Sequence, residues 1–214
     1  MRTIAVIARK GGSGKTTVAT HIALAAHLRG LRTVLADTDP QGSSAETLKG
    51  RTREGPQFFR TTGPALRSLI KDQPVAAEAV IIDTPAASEA ETAHAIALAD
   101  LSLMIVRPTF LDLAASVQTA EILRRLRKPG LIVLNQAPVM RGGVETPHVK
   151  RALEALQLMR LPVAPVILRA RAPFQTALER GLSVEEWAPK DAAAAEIREL
   201  WTFIEHFAFG KRAA

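Results

Sequence analysis

Lys10-Gly11-Gly12-Ser13-Gly14-Lys15-Thr16-Thr17 sets glycines between two lysines and ends in two hydroxyls. Glycine lets a backbone turn so that successive N–H groups aim at one phosphate cluster. A helix beginning near Lys15 adds the positive end of its dipole to the same point. Lys15 is then placed to reach the β- and γ-phosphates of a nucleotide, and the Thr16 hydroxyl to help hold Mg²⁺. The usual spacing, Gly-x-x-x-x-Gly-Lys-Ser/Thr, puts glycine at position 9. Arg9 stands there instead, and a further lysine, Lys10, follows it.

Two later segments carry carboxylates. Thr33-Val34-Leu35-Ala36 leads into Asp37-Thr38-Asp39-Pro40-Gln41-Gly42. Carboxylates at the C-terminal end of a strand face the ligand crevice of an open α/β sheet. One can support Mg²⁺ or the lysine, and another can orient an attacking water. By themselves these residues equally suit an acidic turn. Ala79-Val80-Ile81-Ile82 then ends in Asp83-Thr84-Pro85, an apolar run closed by a carboxylate that would bind Mg²⁺ through water.

These groups need a scaffold that brings strand ends together, and the hydrophobic pattern supplies one. Candidate strands span residues 3–8, 33–36, 79–82, 101–106, 131–134 and 163–167. Candidate helices span 16–29, 65–71, 89–97, 113–126, 147–156, 174–179 and about 191–207. Several strands are nearly continuous apolar runs, as expected when helices cover both faces of a parallel sheet. The alternation predicts a doubly wound α/β fold with a mainly parallel sheet, in a single domain over 1–214. Residues 49–63, with turn formers, charges and two Phe, read as irregular.

Composition removes several kinds of chemistry. Cysteine is absent, which excludes disulfides, thiolate metal sites and iron–sulfur clusters. No apolar run approaches the roughly 20 residues that span a bilayer, and no signal-peptide pattern opens the chain, so a cytoplasmic protein is expected. Twenty-eight Lys and Arg oppose 21 Asp and Glu, for a net +7. Such an excess fits a polyanionic partner, and it fits an unspecialised basic surface as well.

Taken together, the loop with its second lysine, the Asp-x-Asp-Pro-Gln turn and the strand ending in Asp83 resemble the deviant Walker A ATPases of the ParA/MinD family. The resemblance covers most of the chain. Val106-Arg107-Pro108-Thr109-Phe110-Leu111-Asp112 is similar to the family's segment after its fourth strand, and residues 131–135 to its strand ending in an asparagine. Arg169-Ala170-Arg171-Ala172-Pro173-Phe174 is similar to the closing segment of small ParA-type proteins. The resemblance implies ATP and Mg²⁺ as cofactors, Asp39 as the residue that positions water, Asp37 in the metal and lysine network, and Asn135 against adenine. It also implies an ATP-dependent homodimer in which Lys10 of each protomer reaches the phosphates of the other.

Three classes of function compete within that resemblance. A DNA-binding positioning ATPase would carry plasmid, chromosomal or protein cargo over the nucleoid, hold double-stranded DNA non-specifically, and be stimulated by a ParB-like or other adaptor. Lys150, Arg151, Arg169, Arg171 and Arg180 are its candidate DNA contacts, with Arg169 and Arg171 foremost, although each fits a solvated or ion-paired arginine too. A membrane-cycling ATPase would use a C-terminal amphipathic helix. Ile197, Leu200, Trp201, Ile204 and Phe207 share one helical face, followed by Phe209, Lys211 and Arg212. Glu196, Glu199 and Glu205 on the opposite face argue against an anionic membrane. A metabolic ligase on the same fold would not need Lys10 or the Asp-Pro-Gln turn. The phosphate-loop strand begins at Thr3, which leaves no room for an N-terminal helix-turn-helix.

Overall fold

Residues 2–7 alternate their side chains between two apolar layers, and the fold grows from that alternation. In the computed structural model, which describes residues 1–71, 77–86 and 88–210, the elements are β1 (Arg2–Ile7), α1 (Lys15–Leu28), β2 (Thr33–Asp37), α2 (Ser43–Lys49), β3 (Gln57–Arg60), α3 (Leu66–Lys71), β4 (Ala79–Asp83), α4 (Glu89–Leu98), β5 (Leu101–Val106), α5 (Phe110–Arg125), β6 (Gly130–Leu134), α6 (Pro147–Gln157), α7 (Ala172–Leu178), α8 (Val184–Trp187) and α9 (Ala192–Phe209). The strands form one sheet in the order β3-β2-β4-β1-β5-β6, and every pairing is parallel. Ile4 and Val6 of β1 enter one buried cluster with α1 and α9. Ala5 and Ile7 enter the other. This is the period-2 geometry of a strand covered on both faces.

The strand order reverses beside β1, so the crevice outside the C-terminal ends of β1, β2 and β4 is the natural ligand position. Register makes those ends level, because Asp83 lies opposite Val6 on one side and Asp37 on the other. α1 starts directly from this edge. It is buried almost all round, with Ala19, Ile22, Ala23, Leu24, Ala25 and Ala26 fully enclosed, and its small alanines let the sheet, α2 and α9 approach closely.

α9 settles the role of the C-terminal stripe. Ile197, Leu200, Trp201 and Ile204 have no exposed surface and pack into the cluster around α1. Burial of each is worth on the order of 2 kcal/mol. Drawing all four out to meet a membrane would therefore consume most of an ordinary domain's stability. Phe207 is partly exposed and stacks on Phe203 at 6.0 Å. Lys211, Arg212 and the Phe209 side chain lie outside the described residues. Among the described residues no helix is long and apolar enough to cross a membrane.

Two predicted boundaries are corrected. Residues 163–167 do not form a strand. They run beside β6 through a single bridge, Val163 to Ile132, because Pro162 and Pro165 remove the donors a ladder needs. The sixth strand is instead β3, inside the segment read as irregular. Its exposed, unalternating residues carry no strand pattern, and only pairing with β2 makes them one. The short helices α2 and α8 also went unpredicted. α5 begins three residues earlier than expected because the Thr109 side chain caps it by accepting from the Asp112 N–H.

His21 joins α1 to the C-terminal segment. The Val184 N–H donates to its Nδ1 at 3.3 Å, which leaves Nε2–H to donate to the Phe174 carbonyl at 3.3 Å. Only the neutral ring can do both. Burial lowers its pKa to about 4, against weaker upward pulls from the Phe174 carbonyl and the Glu186 charge. The folded pKa lies below the unfolded one, so stability is full above about pH 6.5 and falls as pH drops towards 4, by about 3 kcal/mol at the lower limit. Denaturant melts at pH 7.5 and 4.5 should show this loss, and His21→Gln should show a smaller pH-dependent loss than the parent chain.

Candidate functional site

The loop between β1 and α1 folds as its glycines require. Gly12 has φ 72° and Gly14 φ 89°, a left-handed conformation that side-chain-bearing residues rarely adopt. The Gly14 carbonyl accepts the first helical bond, from the Val18 N–H at 2.9 Å. α1 therefore begins at Lys15 with its N-terminus turned to the crevice. Lys15 is only 7% exposed. Burial lowers its pKa, while Asp83 and Asp39 act in the opposite direction. The ammonium thus sits in a shielded position with two carboxylates near it.

Asp83 is the most constrained acid of the site. It has no exposed surface, and no hydrogen bond of ordinary geometry reaches either carboxylate oxygen. Burial pushes its pKa up to about 7 and the Asp37 charge adds to the rise. The Thr16 and Ser44 hydroxyls and the Lys15 charge favour the ionised form. Asp37 is used differently. Its Oδ1 accepts from the Asp39 N–H at 3.0 Å and its Oδ2 from the Ala45 N–H at 3.1 Å, so it builds the turn that carries Asp39 and caps the start of α2.

A buried carboxylate without hydrogen bonds, beside a hydroxyl and a second carboxylate, is a hard-oxygen donor set that fits Mg²⁺. Among the described residues no cluster of three or more His, Cys, Asp or Glu forms a protein-only cage. Thr16, Asp83 and, behind them, Asp37 are the residues that would hold Mg²⁺.

From the far side of the sheet, β6 delivers Asn135 and Gln136. Asn135 Nδ2 donates to the Ser13 carbonyl at 2.7 Å, and Gln136 Nε2 to the Gly12 carbonyl at 3.1 Å. Both line a cleft of about 400 Å³ shared with Thr17, His21, Arg171 and Phe174, of a size and mixed polarity that suit a nucleoside. Gln136 was not picked out from the sequence; its positive φ of 52° has no motif to announce it. Arg107 and Arg60 were also missed. Arg107 is held by both oxygens of Asp112, at 3.0 and 3.1 Å, with its guanidinium facing Gly12. Arg60, opposite Asp37 in the register, lies over Gly42 and donates to the Pro40 carbonyl at 2.8 Å.

The basic residues divide sharply. Lys10 is half-buried beside the phosphate loop and pairs with no carboxylate among the described residues. Lys150 and Arg151 are exposed on α6. Arg180 is exposed too, but it stacks over Trp187 at 4.3 Å and pairs with Glu179 at 3.7 Å. Arg169, one of the foremost expected DNA contacts, is corrected: it is 7% exposed, forks onto both oxygens of Glu145 at 3.1 and 2.7 Å, and donates to the Pro138 carbonyl. That hydrogen bonding holds the Glu145 carboxyl below its usual range. Arg171 is committed to Glu196 at 2.8 Å. The Arg169 guanidinium is spent on these bonds, whereas Arg171 is engaged through Nε and keeps 27% of its side chain exposed.

Comparison with known proteins agrees with this geometry. Residues 4–184 match the family described as the CobQ/CobB/MinD/ParA nucleotide binding domain. The chain is 31% identical to maintenance of carboxysome distribution protein A of Halothiobacillus neapolitanus, over 91% of both chains. It is 27% identical to the IncC protein of Escherichia coli, over 95% of this chain and 69% of that one. Its fold superposes on an aspartate-to-alanine variant of Cyanothece McdA in complex with ATP with a TM-score of 0.80, at 16% identity, covering 100% of this chain and 98% of the other.

Two outcomes follow from the charges. Asp83 has a folded pKa above its unfolded value, so its contribution is lost as pH rises through about 7. Asp83→Asn should therefore raise the melting temperature of the nucleotide-free protein at pH 8 while weakening Mg²⁺-dependent ATP binding; calorimetry with and without Mg²⁺ reads both. Replacing Arg169 and Arg171 together by Glu should lower the melting temperature by several degrees, because each leaves a partly buried carboxylate unpaired. A thermal melt without DNA checks it.

Proposed function

The chain belongs to the CobQ/CobB/MinD/ParA nucleotide-binding family, and from that premise we propose that it is a positioning ATPase working as a nucleotide-gated dimer. In this reading it binds ATP with Mg²⁺, dimerises, holds double-stranded DNA non-specifically and releases it after hydrolysis stimulated by an adaptor protein. Its cargo is a plasmid, a chromosomal locus or a protein assembly, and its place is the cytoplasm, over the nucleoid.

The observation that carries the reading is the contrast between the two lysines. Lys15 is buried towards Asp83 and Asp39 and serves the phosphates of its own protomer. Lys10 stands outside that cluster with no carboxylate partner among the described residues, free to complete a site across a two-fold interface. A ligase acting as a single protomer has no use for such a residue. The names of the relatives, among them a carboxysome distribution protein and a ParA protein, point in the same direction. The burial of the α9 stripe argues against membrane cycling.

The residues divide the work as follows. Backbone N–H groups of residues 11–17 cradle the phosphates. Lys15, and Lys10 from the second protomer, neutralise charge that develops on them. Asp39, held on its turn by Asp37 and by the Arg60 contact to Pro40, orients the attacking water. Thr16 and Asp83, with Asp37 behind them, would hold Mg²⁺, which would supply charge neutralisation at the phosphates. Catalysis is thus positioning and electrostatics, with no covalent intermediate on the protein.

The exposed cations Lys150 and Arg151 lead the DNA-contact set, with Arg180 beside them. Retention of random-sequence duplex should appear with ATP, disappear with ADP or without nucleotide, and weaken steeply with salt. Lys150→Glu with Arg151→Glu should flatten the log-affinity against log-salt slope by about 2 per protomer while ATP affinity is unchanged. Asp39→Ala should abolish hydrolysis yet keep the ATP-bound dimer, as read by light scattering. ATP-independent retention, or none at low salt, defeats the DNA reading.

A further inference from the structure

The carbonyls of Gly12 and Ser13 precede α1 and receive none of its N–H groups. The first helical bond goes to Gly14. Each is instead taken by a side-chain amide from the end of β6: Gly12 by Gln136 at 3.1 Å and Ser13 by Asn135 at 2.7 Å. A peptide unit is planar and trans, so fixing its carbonyl fixes the N–H of the next residue in the opposite direction. Holding Gly12 O and Ser13 O on the β6 side therefore turns the Ser13 and Gly14 N–H groups away from it, together.

The loop's own residues are built around this contact. A Cβ at Gly14 would lie 2.3 Å from Asn135 Nδ2 and 3.2 Å from Gln136 Nε2. Position 14 must thus be glycine for the approach of the two amides as well as for its φ of 89°. Gln136 itself holds a left-handed φ of 52°, a conformation that costs about 1 kcal/mol outside glycine. At Gln136 this conformation accompanies the amide contact with the phosphate loop.

We propose that Asn135 and Gln136 are positioning residues that form a clamp from β6, pre-setting the peptide planes of residues 12–14 so that their N–H groups meet a phosphate without reorganisation. The inference rests on the nucleotide-binding reading of the loop. It gives Asn135 a role that does not depend on touching the base, and it gives Gln136 a role where no motif provided one. Its selectivity is for the phosphates, not for the base.

Gln136 separates the two possibilities, and Gln136→Gly is the sharpest variant because glycine keeps the positive φ without strain. Affinities of the full chain for ADP and GDP, by calorimetry with Mg²⁺, are measured beside a Lys15→Ala control. The clamp requires about fivefold weaker binding of both nucleotides, the loss of one hydrogen bond's worth of order, with the ADP-to-GDP preference and the melting temperature unchanged. Gln136→Glu, which cannot donate at neutral pH, should lose at least as much. In ¹⁵N spectra, the Ser13 and Gly14 amides of the ADP complex should shift or broaden in Gln136→Gly while those of α1 beyond Thr20 do not. Unchanged affinity, or a collapse of base preference, overturns the clamp. Failure of the unsubstituted chain to bind ADP overturns the nucleotide reading itself.

Discussion

Lys15 and Asp83 are both withdrawn from water at the C-terminal edge of the sheet, and burial works against the charge on each. The Asp83 and Asp39 charges support the Lys15 ammonium, and Lys15 with the Thr16 and Ser44 hydroxyls supports the Asp83 carboxylate against burial and the neighbouring Asp37 charge. The rest of the fold is arranged to keep these groups in register. β1 brings the loop, β4 brings Asp83 opposite Val6, and β2 brings Asp37 opposite Asp83. A one-residue slip in either pairing would turn the carboxylates to the wrong face. Parallel pairing inside a fully buried sheet forbids the slip.

A second layer holds the loops that this edge cannot hold alone. Asp37 spends both oxygens on backbone N–H groups of its own turn, Arg60 reaches that turn from β3, and Asn135 and Gln136 reach the phosphate loop from β6. The two strands flanking the site at a distance thus act on it through one side chain from β3 and two from the end of β6. This rigidity matters because catalysis by positioning gains only from groups already in place.

The arginine content has an internal use as well as an external one. Arg51 is buried on Glu186, with hydrogen bonds to both its oxygens at 2.8 Å. Burial alone would raise the Glu186 carboxyl, but Arg51 and the Ser183 N–H more than offset it. Arg29 with Glu185, Arg169 with Glu145 and Arg171 with Glu196 repeat the theme. Arg29 and Arg51 fasten α8 to the α1–α2 side of the domain, where His21 also ties Phe174 to Val184, while Arg171 joins α7 to α9 and Arg169 joins the stretch before α7 to the loop before α6. Each pair removes one cation and one anion, so the net +7 stands, but the total of 28 Lys and Arg overstates the cations offered to a polyanion.

The phosphate loop, the acid-ended strands and most helices were legible because each rests on local chemistry: glycine conformations, apolar runs and caps close in sequence. Lys15 could be named for the phosphates and Asp83 for Mg²⁺ because motif spacing encodes what a parallel sheet does to strand ends. The loss of the expected strand at 163–167 was likewise local, written in Pro162 and Pro165. The strand at β3 and the commitment of Arg169 to Glu145 were instead decided by partners 20 or more residues away, and no window of sequence contains both ends of such a contact. The same holds for Gln136, an ordinary polar residue until folding sets β6 beside the loop 124 residues earlier. Local physics determined which residues could do the chemistry. Tertiary packing decided which of them are free to do it, because hydrogen bonds and ion pairs between distant elements consume some side chains and release others.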